Sequence, residues 1–146
     1  MMVGEGSRPT KDCVYDARAG TTGVSLSVAV DQWSYALGRA IASGGVFNGD
    51  GIDDLAVSAV ANGTGKVFVL FGSADGFVVD IASDQIGNTV DGLVLSGGVA
   101  GTGFGQDIDF AGDFNGDGLD DLVIGEPLAA DGGQAFVVFG SSLLSG

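Results

Sequence analysis

Short apolar stretches alternate with clusters of Gly, Asn and Asp along most of the chain, a pattern typical of β-strands joined by turns. The segment Val67 to Phe71 is apolar on both alternating faces, so its sheet must be covered on both sides. The predicted strands are 38–43, 54–58, 66–72 and 92–96 in one part of the chain, and 105–111, 121–125, 134–140 and a weaker one near Leu143 and Leu144 in the next.

The chain repeats itself. Residues 37–57 align with residues 104–124 at an offset of 67, with 11 of 21 positions identical. The apolar stretches 66–72 and 134–140 follow the two copies at an offset of 68, because the loop between the two strands is one residue longer in the second copy. Two copies of one unit are therefore predicted.

Four short strands in each unit, with both faces buried, favour an all-β fold made of radially packed, four-stranded antiparallel blades. Two blades form only part of a propeller ring. The alternating segment 24–30 has Leu26 at 67 positions before Leu93, which predicts a fourth strand of a preceding unit. We therefore divide the chain into a loose N-terminal segment at 1–23, a first unit at 24–100 and a second at 101–146.

The charge and composition exclude several functions. The chain has 146 residues, no His, a single Cys13 and a net charge of -14, which excludes His-based catalysis, an internal disulfide and a Cys-clustered zinc site. The negative surface would repel nucleic acid. A hydrophobic fraction of 45% indicates a buried core, yet no apolar run is long enough for a membrane span. The first residues lack the pattern of a signal peptide.

The acidic residues concentrate in the loop at 113–121, which we call the second loop. Carboxylate, amide or carbonyl oxygens stand at its positions 1, 3, 5, 7 and 9, and alternate residues of a tight loop point inward. Calcium takes roughly 6 to 8 oxygens at about 2.3 to 2.6 Å, so this spacing predicts a calcium site. The predicted ligands are Asp113, Asn115, Asp117, the carbonyl of Leu119, and Asp121.

Two other interpretations compete for the second loop. Asn-Gly and Asp-Gly are common hairpin turns, but a simple turn does not explain four carboxylates in nine residues. An EF-hand or dockerin-type loop begins in the same way, but it requires a Glu at position 12 and a following helix. Here position 12 is Ile124, within a predicted strand. Calcium binding is the favoured interpretation.

The first loop, at 46–54, has the same pattern without its first ligand, because Val46 replaces the Asp at position 1. A weaker calcium site and a metal-free turn both remain open. The predicted ligands of this weaker site are Asn48, Asp50, the carbonyl of Ile52, and Asp54. The position 8 residues of the two loops, Asp53 and Asp120, are expected to point away from a metal ion.

These residues resemble the FG-GAP repeat family, known from the β-propeller of integrin α subunits. The resemblance rests on Phe104-Gly105, on the second loop, and on Gly125-Glu126-Pro127 in place of Gly-Ala-Pro. It implies a propeller fold, Ca²⁺ on the loop between the first two strands of each blade, and an extracellular or cell-surface setting. Because 67–71 and 136–139 are apolar on both faces, two blades alone would leave apolar surface exposed, which predicts further blades from a longer parent chain or from other copies.

Three classes of function follow, and the first is favoured: a non-catalytic adhesion or ligand-binding module for an unidentified protein or glycan. A glycan-binding propeller would need aromatic platforms, for which Trp33, Tyr35 and Phe77 are the candidates. A hydrolase would need a catalytic pair such as Asp107 and Asp109, whereas a non-catalytic propeller part of a larger secreted hydrolase would need none. These two residues are predicted to lie on an exposed strand face, so we expect no enzymatic activity.

Overall fold

The computed structural model describes residues 25–27, 36–60, 64–75 and 80–144. The predicted N-terminal segment 1–23, the sequence-predicted aromatic platforms Trp33, Tyr35 and Phe77, and most of segment 24–30 lie outside the described residues. The described part contains strands and two short 3₁₀ turns, Ala130–Gly132 and Ser142–Leu144, and no α-helix. The all-β prediction is confirmed.

Within the described residues, nine strands form three sheets. Their bounds are β1 Ser25–Ser27, β2 Ala36–Gly45, β3 Asp54–Val60, β4 Lys66–Leu70, β5 Asp80–Ala82, β6 Gly92–Ser96, β7 Ile108–Gly112, β8 Asp121–Glu126 and β9 Gln134–Val138. The first sheet has the antiparallel order β2-β3-β4-β6, and the second sheet has the antiparallel order β7-β8-β9. All seven main predicted strands overlap an observed strand.

The prediction of four strands in the second unit is wrong for the described residues. Ser142–Leu144 forms a 3₁₀ turn where the weak strand was expected, so β9 is an edge strand of a three-stranded sheet. The segment after β9 folds back on the first loop, where the Ser141 N–H donates to the carbonyl of Phe47 at 2.9 Å. The described chain after β9 therefore lies against the first loop and does not pair with β9.

The third sheet has two strands, and its pairing was not predicted from the sequence. β1 and β5 pair in parallel, with Leu26 opposite Ile81, whereas antiparallel pairing was predicted throughout. β5 lies in the connection between β4 and β6, and three residues carry too little alternation to predict a strand. Segment 24–30 thus supplies a strand, but in the described structure it pairs with the first unit of its own chain.

The main core lies between the first and second sheets. Ala56, Val67 and Val69 of the first sheet pack with Leu122 and Ile124 of the second. Phe110 of β7 covers Gly45 so closely that a Cβ at this glycine would clash with the ring. The two units therefore stack face to face, and this stacking brings their two loops together at one end of the sheets.

A smaller core covers the opposite face of the first sheet. Phe68 and Leu70 of β4 pack with Ile81 and Ile86, which belong to the connection that carries β5. Both faces of β4 are therefore buried, as the sequence predicts. No described residues cover the outer face of the second sheet, the one turned away from the first sheet, where Val137 is 39% exposed and Phe139 is 53% exposed.

Candidate metal loops and their contacts

Each loop begins with the same irregularity in its sheet. The register between the first two strands shifts between Ser43 and Gly45 in the first unit, and between Phe110 and Gly112 in the second. These positions correspond at the repeat offset of 67. A bulge bends the strand as it leaves the sheet, so both units direct their acidic loop out of the same edge.

In the second loop, the carboxylate of Asp113 holds the turn. One oxygen, Oδ1, accepts the N–H groups of Gly116 and Asp117 at 2.7 and 2.9 Å, and Oδ2 accepts that of Gly118 at 2.8 Å. Gly118 has a φ of 91°, which costs little for glycine and is strained for other residues. The position 1 carboxylate therefore orders its own loop through backbone hydrogen bonds.

Asn115 and Asp117 lie exposed at the opening of the same loop. The Asn115 Nδ2 donates to Asp117 Oδ2 at 2.9 Å, and the Asp117 N–H donates to Asn115 Oδ1 at 2.9 Å. The Leu119 N–H donates to Asp117 Oδ1 at 2.9 Å. Three of the predicted ligands, Asp113, Asn115 and Asp117, are thus joined to one another or to the backbone of one short turn.

Asp121 at position 9 is fully buried and fastens the loop to the sheet. Its Oδ2 accepts the N–H groups of Phe114 and Asn115, and its Oδ1 accepts that of Gly140 at 2.9 Å. A carboxylate oxygen has two acceptor sites, so Oδ1 retains one of them. The residue therefore has a structural role in addition to the predicted ligand role.

The first loop repeats this arrangement at positions 3, 5 and 9. The Asn48 Nδ2 donates to Asp50 Oδ2 at 2.9 Å, and the Ile52 N–H donates to Asp50 Oδ1 at 2.8 Å. The buried Asp54 accepts the N–H groups of Phe47 and Asn48 on Oδ2 and that of Gly72 on Oδ1. What the first loop lacks is the position 1 acceptor, because Val46 has no side-chain oxygen.

The environment of Asp54 disfavours its charged form. Burial raises the pKa of this carboxyl above its ordinary value of 3.8, and the nearby charge of Asp50 raises it further. Hydrogen bonds from the backbone of Gly72, Phe47 and Asn48 oppose both effects. Asp54 therefore accepts three N–H groups although burial disfavours its charged form.

The donor set of the second loop fits a hard cation in its chemistry, since it offers two exposed carboxylates, an amide and a carbonyl. In the hydrogen-bonded arrangement, however, no group of three Asp, Glu, His or Cys side chains within the described ranges is placed to hold a metal ion. The oxygens of Asp121 accept backbone N–H groups of Phe114, Asn115 and Gly140. The ligand assignments in both loops stay predictions.

Sequence reasoning missed contacts made by two acidic residues. Asp120, expected to point away from a metal, accepts the Val46 N–H of the first loop on Oδ2 at 2.8 Å. Glu126, which replaces the Ala of Gly-Ala-Pro, is buried and accepts the hydroxyl of Thr102. The sequence gives no signal for either contact, because Asp120 lies 74 residues from Val46 and Thr102 lies 24 residues from Glu126.

The comparison with known proteins finds a match in the part of the chain that contains the second loop. A family profile described as FG-GAP repeat matches residues 104–138. This part of the chain is similar to an FG-GAP repeat. The matched residues run from Phe104 through the second loop to the end of β9, and the first loop carries the same pattern 67 residues earlier.

The chain is also similar to part of an integrin α subunit. Over 91 residues, the chain is 35% identical to integrin alpha-PS5 of Drosophila melanogaster. The match covers 62% of this chain and 9% of the integrin. The chain thus spans a small part of that relative's length.

No helix in the described part of the chain is long and apolar enough to cross a membrane.

Proposed function

We propose that the chain is a calcium-binding segment of an FG-GAP β-propeller that acts as a non-catalytic, extracellular or cell-surface adhesion or ligand-binding module. The observation that carries this proposal is the second loop, where Asp113, Asn115 and Asp117 are gathered in one glycine-rich turn of a recognised FG-GAP repeat. The similarity to an integrin α subunit supports the extracellular setting and the adhesion role.

The second loop is the stronger calcium site in this proposal. Asp113, Asn115 and Asp117 would supply side-chain oxygens, and Leu119 would supply its carbonyl. Asp121 would add its remaining acceptor site while it holds the loop to β9. A bound cation would offset the repulsion among the carboxylates that folding brings together. Affinity in the range of extracellular modules, about 10⁻⁴ to 10⁻³ M, would be sufficient outside the cell.

The open face of the second sheet is the place for a further blade. We define this face as Val123, Ala135, Val137 and Phe139. The repeat equivalents of these residues are Ala56, Val67, Val69 and Phe71, which the second sheet buries almost completely. The same apolar pattern is thus covered in the first unit and exposed in the second. Another blade, from a longer chain or from another copy, would cover it.

Calcium-dependent stability tests the proposal. Because calcium would bind the folded loop and not the unfolded chain, a concentration of one hundred times the dissociation constant adds about 2.7 kcal/mol to the free energy of unfolding. Thermal melting of the wild type should shift upward in millimolar calcium relative to chelator. Asp117→Ala should lose most of that shift, and Asp84→Ala, at an exposed site outside both loops, should retain it.

Equal melting curves of the wild type in calcium and in chelator would refute the calcium site. A shift of the same size in Asp117→Ala would place the site elsewhere. Magnesium at the same concentration separates a specific site from general screening of the negative charge, since screening would raise stability with either cation. The proposal predicts the larger shift with calcium.

A further inference from the structure

The two loops touch, and most of the polar contacts between them surround a single residue of the second loop. Asp120 accepts the Val46 N–H on its carboxylate at 2.8 Å, and its own N–H donates to the Val46 carbonyl at 3.3 Å. Both polar groups of the Val46 backbone are therefore bound by one residue of the other unit. Val46 is position 1 of the first loop, the position at which the expected carboxylate is missing.

Close packing surrounds this pair of hydrogen bonds. The Ser141 N–H donates to the Phe47 carbonyl at 2.9 Å, next to Val46. At Gly140, a Cβ would lie 2.5 Å from the Asp120 carbonyl oxygen and 2.7 Å from that of Phe47. Only a glycine permits this approach, so the chain at the end of β9 lies directly against the backbone of both loops.

The equivalent residue of the first loop makes no such contact. Asp53 also stands at position 8, but it is exposed, and its side chain has no hydrogen bond to any described residue. The contact of Asp120 is therefore not a property of the loop sequence alone. It requires the neighbouring unit, and Asp53 provides a matched control at the same position of the same turn.

We propose that Asp120 is a latch between the repeats, a positioning residue through which the second loop determines the conformation of the first. The second loop orders itself, because Asp113 accepts three N–H groups of its own turn. Since Val46 cannot do the same for the first loop, that loop takes its anchor from Asp120. The two loops then open and close as one unit.

Amide hydrogen exchange followed by NMR tests the latch. All samples contain chelator, so the result does not depend on the proposed calcium site. In Asp120→Ala, the Val46 amide should exchange roughly tenfold faster or more, since a hydrogen bond to a charged acceptor is lost. The latch also predicts faster exchange at Phe47 and Asn48, whose own acceptor is Asp54. Asp53→Ala should leave both loops unchanged.

Two further variants complete the test. Asp120→Asn keeps an oxygen acceptor but loses the charge, so it should speed exchange at Val46, Phe47 and Asn48 by less than Asp120→Ala does. It carries the test if Asp120→Ala does not fold. Asp113→Ala disturbs the second loop and should speed exchange at Phe47 and Asn48 only when Asp120 is present. Faster exchange confined to Val46 would overturn the latch, because the first loop would then be held by Asp54 alone. An effect of Asp113→Ala that persists without Asp120 would overturn it as well.

Discussion

The third strands of the two units share one sequence pattern and differ in burial. Val67 to Phe71 are at most 4% exposed, whereas Phe136, Val137 and Phe139 at equivalent places are 38 to 53% exposed. β4 lies between β3 and β6 and has packed residues on both faces, but β9 is an edge strand with one open face. An apolar pattern on both faces of a strand therefore indicates that both faces can be buried. Whether they are buried depends on the neighbouring strands and sheets.

The largest expected difference lies at the phenylalanines that follow these strands. Phe71 is 4% exposed and Phe139 is 53% exposed. Phe71→Ala should lower the free energy of unfolding by about 3 to 5 kcal/mol, because it opens a cavity in the core. Phe139→Ala should change it by less than roughly 1 kcal/mol, as is usual for exposed positions. Urea denaturation of the two variants measures both values.

A large loss from Phe139→Ala would contradict this account, since it would mean that something already covers the open face. The most direct check is to repeat the measurement at several protein concentrations. If copies associate through Val123, Val137 and Phe139, the loss caused by Phe139→Ala should grow with concentration. In a monomeric sample it should stay small.

The two units should respond alike at their buried carboxylates, because Asp54 and Asp121 make equivalent hydrogen bonds. Asp54 and Asp121 each accept three N–H groups, including that of the glycine after the third strand. Asp54→Ala and Asp121→Ala should each cost about 2 kcal/mol or more in chelator, because buried N–H groups lose their acceptor. Chemical denaturation measures the cost, with Asp53→Ala as the control. A loss in either variant no larger than in the control would show that the loops hold without these bonds.

The sequence predicts the repeated unit well. Identical residues at a fixed offset locate both loops, and glycine and asparagine clusters separate the main strands. The strand signals are local, since each depends on residues a few positions apart, and the repeat is visible by comparing the sequence with itself. The second loop and the Phe104 to β9 segment therefore coincide with the FG-GAP match.

What the sequence does not predict depends on distance along the chain. The bond between Asp120 and Val46 spans 74 residues, and the parallel pair of β1 and β5 joins Leu26 to Ile81. Likewise, the spacing of Asp121 suggests a ligand but does not reveal that Gly140 occupies one of its oxygens. Such contacts arise when sheets stack, so they appear only in the folded chain.

The smallest expected effect concerns the titration of Asp54. Burial, with the charge of Asp50, raises its pKa above 3.8, so the folded protein keeps a proton over a pH range in which the unfolded chain has lost it. The contribution of Asp54 to stability therefore falls as pH rises through that range. Carboxyl NMR in chelator should give a midpoint above 3.8. A midpoint at or below this value would mean that the backbone hydrogen bonds outweigh burial.

Calorimetric titration of calcium into three proteins tests the central claim most directly. The wild type should bind calcium, Asp117→Ala should lose most of the binding heat, and Asp50→Ala should lose less. The reason is that the second loop has a carboxylate at position 1, whereas the first loop has Val46 there. No binding by the wild type, or a greater loss in Asp50→Ala than in Asp117→Ala, would contradict the account.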